Sequence, residues 1–158
     1  MNHIQELQQR KADLEAYQRL HTRVRRRIIL PTLDEVKAAS WICFVRDTAN
    51  KMLACSKGYL ELFGEQDYER STVHSLFEAC EVMLFVENDQ FVIQTQCAAN
   101  VLEAWWNPKE QCYQQGEVDK QPYYSDGKLI GIIGRIPRES VRSISEVEYK
   151  KVLADEFP

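Results

Sequence analysis

Residues 101–137, VLEAWWNPKEQCYQQGEVDKQPYYSDGKLIGIIGRIP, contain the pattern of three consecutive β-strands. The first run, 101–106, favours a strand and ends before Pro108, because proline lacks the backbone donor that a β-ladder needs. A second run covers 111–124, and a third covers 129–136. The sequence therefore predicts a three-stranded antiparallel meander near its C-terminal end.

The connection between the second and third strands carries the clearest turn signal in the chain. Asp126 and Gly127 lie between two apolar runs, and glycine accepts the positive φ that a tight hairpin turn requires. Pro137 ends the third strand. The remaining chain must supply the layers that pack on the two faces of this meander.

The composition indicates one ordinary globular domain. The chain has 158 residues, of which 44% are hydrophobic and 28% charged, enough for one sizeable core. No apolar run approaches the length of a membrane span, and the N-terminus does not resemble a signal sequence, so we expect a cytoplasmic protein. The five cysteines are widely spaced without a CxxC pair, which favours reduced, mostly buried thiols over disulfides or a metal site: Cys43, Cys55, Cys80, Cys97 and Cys112.

The N-terminal region, residues 1–30, predicts one long amphipathic helix. Its apolar side chains recur at three-, four- and seven-residue steps and so share one stripe: Ile4, Leu7, Leu14, Tyr17, Leu20, Val24 and Ile28. Seven Lys/Arg against three Asp/Glu give this region a net charge of +4, while the other 128 residues carry −8. The basic cluster Arg23–Arg27 allows a nucleic-acid interface, although cations are also favoured at a helix C-terminus by its dipole.

Between Pro31 and Cys97 the sequence predicts short helices around one pair of strands. Thr32 and Glu35 have capping-box spacing before a short helix, and strands follow at 41–47 and 51–55. Ser56 is placed to cap a helix over 57–63, and Ser71 and Thr72 to cap a helical turn. Residues 81–97 predict mainly a helix, although the 90–95 stretch could also form a strand. After Pro137, residues 139–158 predict a C-terminal helix with a cap in 143–146.

This order of elements resembles a PAS domain over about residues 38–138, and particularly the sensor domains beside bacterial LuxR-type regulators and histidine kinases. Ser56 stands where the family typically has an asparagine. The segments that carry the resemblance are FVRD at 44–47, LACSKGYLELFG at 53–64, ENDQ at 87–90, AWW at 104–106, DKQP at 119–122 and DGKLIGIIG at 126–134. The resemblance implies an α+β fold with a five-stranded antiparallel sheet in the order 2-1-5-4-3 and helices on one face. It divides the chain into an N-terminal helix (1–30), a PAS domain (31–138) and a C-terminal helix (139–158).

The resemblance also implies a small internal cavity. Because Glu103 is expected to face water, we predict that its strand neighbour of the same face, Trp105, points outward, while Leu102, Ala104 and Trp106 point inward. Trp106 either stacks on a ligand or fills the core. The predicted pocket residues are Ile42, Phe44, Phe85, Ile93, Leu102, Ala104, Trp106, Ile130 and Ile132.

Both faces of the first and last strands are apolar, so a second layer must cover the outer face of the sheet. We expect the N-terminal helix of the same or of a partner chain to do so, and we predict a homodimer. The predicted dimer or partner surface comprises Leu7, Leu14, Tyr17, Leu20, Val24, Ile28, Trp41 and Trp105.

The sequence favours a binding function over catalysis or a resident chromophore. It has no glycine-rich phosphate loop, GxSxG or HExxH motif. A covalent flavin needs a cysteine in an NCRFLQ-like helix, and haem needs a histidine on the long helix, whereas His74 lies outside it. We therefore expect no metal and no tightly bound cofactor, although a small organic ligand is possible. The leading hypothesis is a dimeric sensory module in signal transduction or transcription control; the alternatives are a nucleic-acid-binding regulator and a ligand-free interaction adaptor.

Overall fold

The chain forms two compact units, Met1–Leu30 and Pro31–Pro158. A computed structural model describes residues 2–25, 30–68 and 71–154, without the side chains of residues 18–25. The first unit contains one helix, α1 (His3–Arg25), which carries four exposed apolar side chains: Ile4, Leu7, Leu14 and Tyr17. No helix in these described ranges combines the length and apolarity needed to cross a bilayer.

The second unit begins with a short helix and a β-hairpin and ends with three long strands, as the sequence predicts. A sixth short strand, β6, was not predicted. The elements are α2 (Leu33–Ala38), β1 (Ile42–Asp47), β2 (Met52–Cys55), α3 (Lys57–Phe63), α4 (Val73–Leu76), α5 (Ala79–Thr95), β3 (Ala99–Asn107), β4 (Cys112–Ser125), β5 (Lys128–Ile136), a 3₁₀ turn (Arg138–Ser140), β6 (Arg142–Ile144) and α6 (Glu146–Leu153).

The strands form one antiparallel sheet in the order β2-β1-β5-β4-β3, and β6 pairs with β4. The α+β class and the order of the five main strands are confirmed. The predicted count of five is corrected to six, because β4 extends beyond β5 and leaves an edge at Tyr113–Gln115 that β6 occupies. The predicted β4–β5 hairpin turns at Asp126 and Gly127, whose φ angles are 50° and 74°.

The inner face of the sheet packs against α3, α4 and α5 and forms the main hydrophobic core. Strand residues of this core include Ile42, Phe44, Trp105, Val118 and Ile132, and helix residues include Tyr59, Phe63, Phe85 and Val92. Helix α5 confirms that residues 81–97 form mainly a helix and that the 90–95 stretch is not a strand. The residues of α5 that face the sheet are spaced three or four positions apart, so Phe85, Asp89 and Val92 lie on the same side of the helix.

Two helices of the second unit lie on the outer face: the C-terminal helix, which was predicted apart from the helices on one face, and the short helix α2, which was not predicted there. Helix α6 packs Tyr149 and Val152 against Ala104 of β3, and α2 packs against β1 and β2. Strand β6 brings the chain back along β4, so α6 follows directly onto the outer surface of β3 and β4. Ser145 caps α6, within the predicted 143–146 stretch.

Candidate functional site

Four charged side chains meet on the inner face of the sheet, and we call them the core ion cluster: Arg46, Asp89, Lys120 and Glu103. Arg46 of β1 donates Nε and Nη2 to the two carboxylate oxygens of Asp89 on α5, at 2.8 and 3.1 Å. Lys120 Nζ of β4 donates to Asp89 Oδ1 at 2.7 Å and to Glu103 Oε2 of β3 at 2.5 Å. Each side chain is at most 4% exposed.

The cluster arises from ordinary strand and helix periodicity. Arg46 lies two residues from Phe44, Lys120 two from Val118 and Glu103 two from Trp105, so all three share the core-facing side of their strands. Asp89 lies one helical turn from Phe85, which brings its carboxylate over the sheet. Two cations and two anions therefore meet with a net charge of zero, which limits the cost of burying them.

The electrostatic environment keeps the central pair charged. Burial would raise the pKa of the Asp89 carboxyl, but the charges and hydrogen bonds of Arg46 and Lys120 outweigh it, so this pKa lies below its ordinary value. Burial likewise opposes the charge on Arg46, but the neighbouring Asp89 holds the pKa of the guanidinium above its ordinary value. Asn88 Nδ2 donates to Glu103 Oε2 at 2.9 Å and extends the cluster along α5.

A cavity of about 20 Å³ lies beside the cluster in the core. Its walls are Phe44, Arg46, Tyr59, Phe63, Phe77, Phe85, Glu103, Trp105 and Ile136. Its volume is enough for one water-sized group. Six of the nine side chains are aromatic, and two belong to the core ion cluster.

Three of the wall residues carry polar side chains: Arg46, Glu103 and Tyr59. Each of them is at least 97% buried, and among the described residues the buried side-chain polar atom without a hydrogen-bond partner is Asn50 Oδ1, which lies outside this cavity. Burial raises the pKa of Tyr59, so its hydroxyl stays neutral. The cavity therefore offers one cationic donor, one anionic acceptor and one hydroxyl group.

The aromatic walls differ in how firmly they are held. Trp105 Nε1 donates to Gln114 Oε1 at 3.0 Å, and Asn107 Nδ2 donates to the same oxygen at 2.9 Å. The ring of Phe44 lies against Gly134, where an added Cβ would come within 2.2 Å of it. Phe77, which follows α4, is the one wall residue that is only half-buried.

Neither a protein-family model nor a curated protein matches the sequence. Several solved structures, however, are similar to this chain. The chain is similar to VqmA bound to DPO, with 21% identity and a TM-score of 0.57 over 67% of this chain and 57% of that one. It is also similar to Vibrio cholerae VqmA in a ligand–DNA complex, with 19% identity and a TM-score of 0.55 over 82% of this chain and 60% of that one. A third similar structure is the PAS domain of a Colwellia psychrerythraea protein, with 16% identity and a TM-score of 0.54 over 72% of this chain and 93% of that one. The fold is that of a PAS domain. This chain spans 53–60% of the VqmA chains, and at these identities the likeness establishes the fold alone.

The structure places several predicted pocket residues on the inner face of the PAS fold. Ile42, Phe44, Phe85 and Ile132 belong to the buried core, and Ile93 packs against it half-buried. Ile130 is half-buried on β5. Phe44 and Phe85 line the cavity.

The predicted orientation of β3 is wrong. Trp105 is 1% exposed and lies in the inner core, not on the outer surface. Leu102 and Ala104 pack under α6 on the outer face, and the ring of Trp106 lies 4.9 Å from that of Tyr113 on the same face. The prediction failed because it assumed that Glu103 faces water, whereas Glu103 is buried against Lys120.

The residues of the core ion cluster were not among the predicted site residues. One signal was present: Asp89 continues the apolar stripe of α5, where a carboxylate needs a buried partner. Arg46 and Lys120 also lie on apolar faces, two positions from the buried strand residues Phe44 and Val118. Which cation meets which anion depends on the register of strands far apart in the sequence, so pattern alone could not pair them.

The predicted partner surface is described in part. Leu7, Leu14 and Tyr17 are exposed on α1, and Trp41 is 39% exposed with the Arg135 guanidinium 5.3 Å from its ring. The side chains of Leu20 and Val24, together with Ile28 and the Arg23–Arg27 cluster, lie outside the described residues.

A second buried polar contact links α5 to α6. The Tyr149 hydroxyl donates to Glu81 Oε2 at 2.5 Å, and the Trp106 backbone N–H donates to the same oxygen at 3.1 Å. Burial raises the pKa of Glu81 above its ordinary value. Helix α5 therefore carries a contact to the core ion cluster, through Asp89, and a contact to the C-terminal helix, through Glu81.

The cysteines differ in exposure. Cys43 and Cys97 are buried, Cys55 and Cys112 are half-buried, and Cys80 is exposed. Burial raises the pKa of Cys43 to about 12, so this thiol is protonated at neutral pH. Among the described residues, no group of three or more His, Cys, Asp or Glu is arranged to hold a metal ion.

Proposed function

We propose that this protein is a sensory or regulatory module of signal transduction or transcription control that binds a small molecule in the centre of its PAS fold. The observation that carries the proposal is the cavity between the aromatic walls and the core ion cluster. Charged and polar side chains are costly to bury, so their presence in the wall of a cavity favours a binding site over a purely structural core. The similarity to VqmA bound to DPO agrees with this proposal.

The proposed signal passes through α5. Asp89 ties α5 to the sheet at the cavity, and Glu81 of the same helix binds Tyr149 of α6. A ligand that binds one position of α5 better than another shifts the population of both contacts. We propose that α6 reports this shift to a protein partner or an output domain.

We further propose that the site binds rather than catalyses. Each carboxylate and each cation of the core ion cluster already has an oppositely charged partner, which favours binding over general-base or nucleophilic catalysis. No chromophore, haem or covalent flavin is part of the proposal.

Native mass spectrometry of protein from its natural host tests the ligand. We expect a mass excess that disappears on denaturation. Phe77→Trp should reduce or abolish the excess by filling the cavity, whereas Phe91→Trp, at a 53% exposed position of α5, should retain it. An unliganded wild-type mass would contradict the proposal.

The small cavity supports a second candidate, a ligand-free interaction adaptor. A volume of about 20 Å³ is far below the several hundred Å³ of ordinary ligand sites. If the core is simply well packed, the protein works through its surface alone. The same spectrum then shows the unliganded mass for wild type and for both variants.

We also propose a homodimer formed through α1. Ile4, Leu7, Leu14 and Tyr17 are 51–67% exposed along one stripe, and a second copy of the stripe would bury them. The Vibrio cholerae VqmA dimer is a precedent for assembly among proteins of similar fold.

A further inference from the structure

A groove of about 500 Å³ lies at the edge of the sheet, beside β3. Strand β3 is the last strand in the order of the described sheet and pairs with β4 on one side. The groove is lined by β3 residues 100–102, by α5 and by the last turn of α6. Since α5 packs on the inner face of the sheet and α6 on the outer face, a groove that touches both helices lies at the open edge of β3.

The backbone of Asn100 and Leu102 directs its hydrogen-bonding groups toward this open edge. In an antiparallel pair, alternate residues bond the neighbouring strand and the others point away from it. Glu117, opposite Leu102, donates its N–H to the 3₁₀ turn at 3.1 Å instead of to β3, and Trp106 of β3 donates its N–H to a carboxylate of α5. Asn100, Leu102 and Trp106 follow at even steps along β3, so the N–H and C=O groups of all three point away from β4.

An edge of this kind is a template for a further strand. Backbone groups that point away from the sheet pair with an extended peptide, and flanking apolar side chains hold the alternate side chains of that peptide. The groove offers such side chains: Met83 is 75% exposed, and Leu84, Leu102 and Leu153 are half-buried. An added strand would cover them on both of its faces, because its side chains alternate with a period of two.

The charge around the groove favours a basic peptide. Glu87 is exposed and is the charged residue among the described residues that line the groove. Glu117 and Asp119 lie beside it on β4, opposite Leu102 and Asn100, and the 128 residues after position 30 carry a net charge of −8. A Lys or Arg of a peptide would meet this negative charge. Two copies of this chain paired edge to edge would instead bring their acidic grooves together.

We propose that the groove at β3 binds an extended peptide of a partner protein, with alternating apolar side chains and at least one Lys or Arg, which adds to β3 as a further strand. The groove is joined to the proposed signal path, because Asn88 in its wall donates to Glu103 of the core ion cluster and Leu153 belongs to α6. This inference rests on the proposed function, since it names the surface and the chemistry for the protein partner of that function.

Fluorescence anisotropy with two labelled, capped hexapeptides tests the inference on the full chain. One peptide alternates lysine with valine, and the other alternates glutamate with valine. We expect the lysine peptide to bind at least tenfold more tightly. Asn100→Pro removes the N–H that points to the edge without removing a bond to β4, whereas Asn100→Ala loses the same side chain and keeps the N–H. Asn100→Ala should bind the lysine peptide at least tenfold more tightly than Asn100→Pro.

A second pair of variants tests the charge. Glu87→Gln should weaken binding of the lysine peptide at least threefold, whereas Glu110→Gln, the same change at the opposite end of β3, should leave it unchanged. Should Asn100→Pro fail to fold, amide hydrogen exchange of wild type replaces it: the lysine peptide should slow exchange at Leu102 at least tenfold.

Three results would overturn the inference: no binding of the lysine peptide, equal binding of the two peptides, or equal binding by Asn100→Pro and Asn100→Ala. A fall in the mass of the protein with Asn100→Pro, measured by light scattering without peptide, would assign the edge to a second copy and also overturn it. Native mass spectrometry tests the small molecule separately. A bound mass without peptide binding would therefore leave the sensor proposal standing while this inference fails.

Discussion

The Ser56 hydroxyl joins the start of α3 to the start of β1. It accepts hydrogen bonds from the N–H groups of Tyr59, at 3.1 Å, and Cys43, at 2.9 Å, and it donates to the Trp41 carbonyl at 2.5 Å. One side chain therefore caps a helix and fixes that helix to β1. The resemblance to PAS sequences suggests asparagine here, and serine makes the cap with a shorter side chain.

We expect Ser56→Ala to lower the free energy of unfolding by about 2–4 kcal/mol, because the cap is lost and the buried Cys43 N–H loses its partner. Thr32→Ala is the matched control, since Thr32 is exposed and caps α2 by accepting a hydrogen bond from the Glu35 N–H at 3.1 Å. Its cost should stay at about 0.5–2 kcal/mol. Urea denaturation of both variants measures the difference. Equal costs would show that the bond to Cys43 contributes nothing.

Prediction from the sequence succeeded for residues whose conformation depends on their neighbours in the chain, and it failed for residues whose environment depends on distant parts of the chain. The cap at Ser56 and the turn at Asp126 and Gly127 depend on neighbouring residues, so the sequence predicted them. The face of Trp105 was predicted from Glu103 alone. Its true orientation depends on Lys120, a partner on another strand that removes the charge penalty of burial.

At the scale of elements, α5 is held to the sheet by both apolar packing and charge. Phe85 and Val92 lie in the core on either side of Asp89, which binds cations from β1 and β4. The position of α5 is therefore set by a contact with specific geometry as well as by burial. Apolar periodicity predicted this helix, but not its ionic contact.

We expect Asp89→Asn to lower the free energy of unfolding by about 3–5 kcal/mol at pH 7, because Arg46 and Lys120 lose their shared anion. The pKa of Asp89 is depressed in the folded protein, so its contribution is complete above the unfolded value of 3.8 and is lost as the pH falls through the lower folded value. The gap between wild type and variant should therefore shrink below about pH 4. Asp67→Asn, at an exposed position, is the control and should differ little from wild type at any pH.

Urea unfolding of wild type, Asp89→Asn and Asp67→Asn from pH 7 to pH 3 measures these differences. A cost below about 1 kcal/mol at pH 7 would show that the core ion cluster does not hold α5. A gap that stays constant down to pH 3 would show that Asp89 does not have the depressed pKa.

The elements that the sequence missed are those whose position depends on distant strands. Strand β6 is three residues long, Arg142–Ile144, and its own residues have no alternation that marks a strand. It forms because β4 offers a free edge beyond β5. The placement of α6 on the outer face follows from β6, so it was equally beyond the reach of local patterns.

At the scale of the whole molecule, the two units have different sources of stability. The second unit has its own core, with buried side chains from the sheet and from helices on both of its faces. The first unit is a single helix whose described apolar side chains are exposed. An isolated amphipathic helix gains most of its stability by packing, so α1 needs a surface to cover its stripe.

If a second copy supplies that surface, Leu7→Asp with Leu14→Asp should convert the dimer to a monomer, because two buried carboxylates per chain would face one another across the interface. Ala12→Asp with Ala16→Asp adds the same charge on another side of α1 and should leave the dimer intact. Light scattering after size-exclusion chromatography over a range of concentrations measures the mass, and circular dichroism checks that both variants remain folded. A monomeric wild type, or a dimer that survives the leucine substitutions, would place the partner surface of this protein elsewhere than α1.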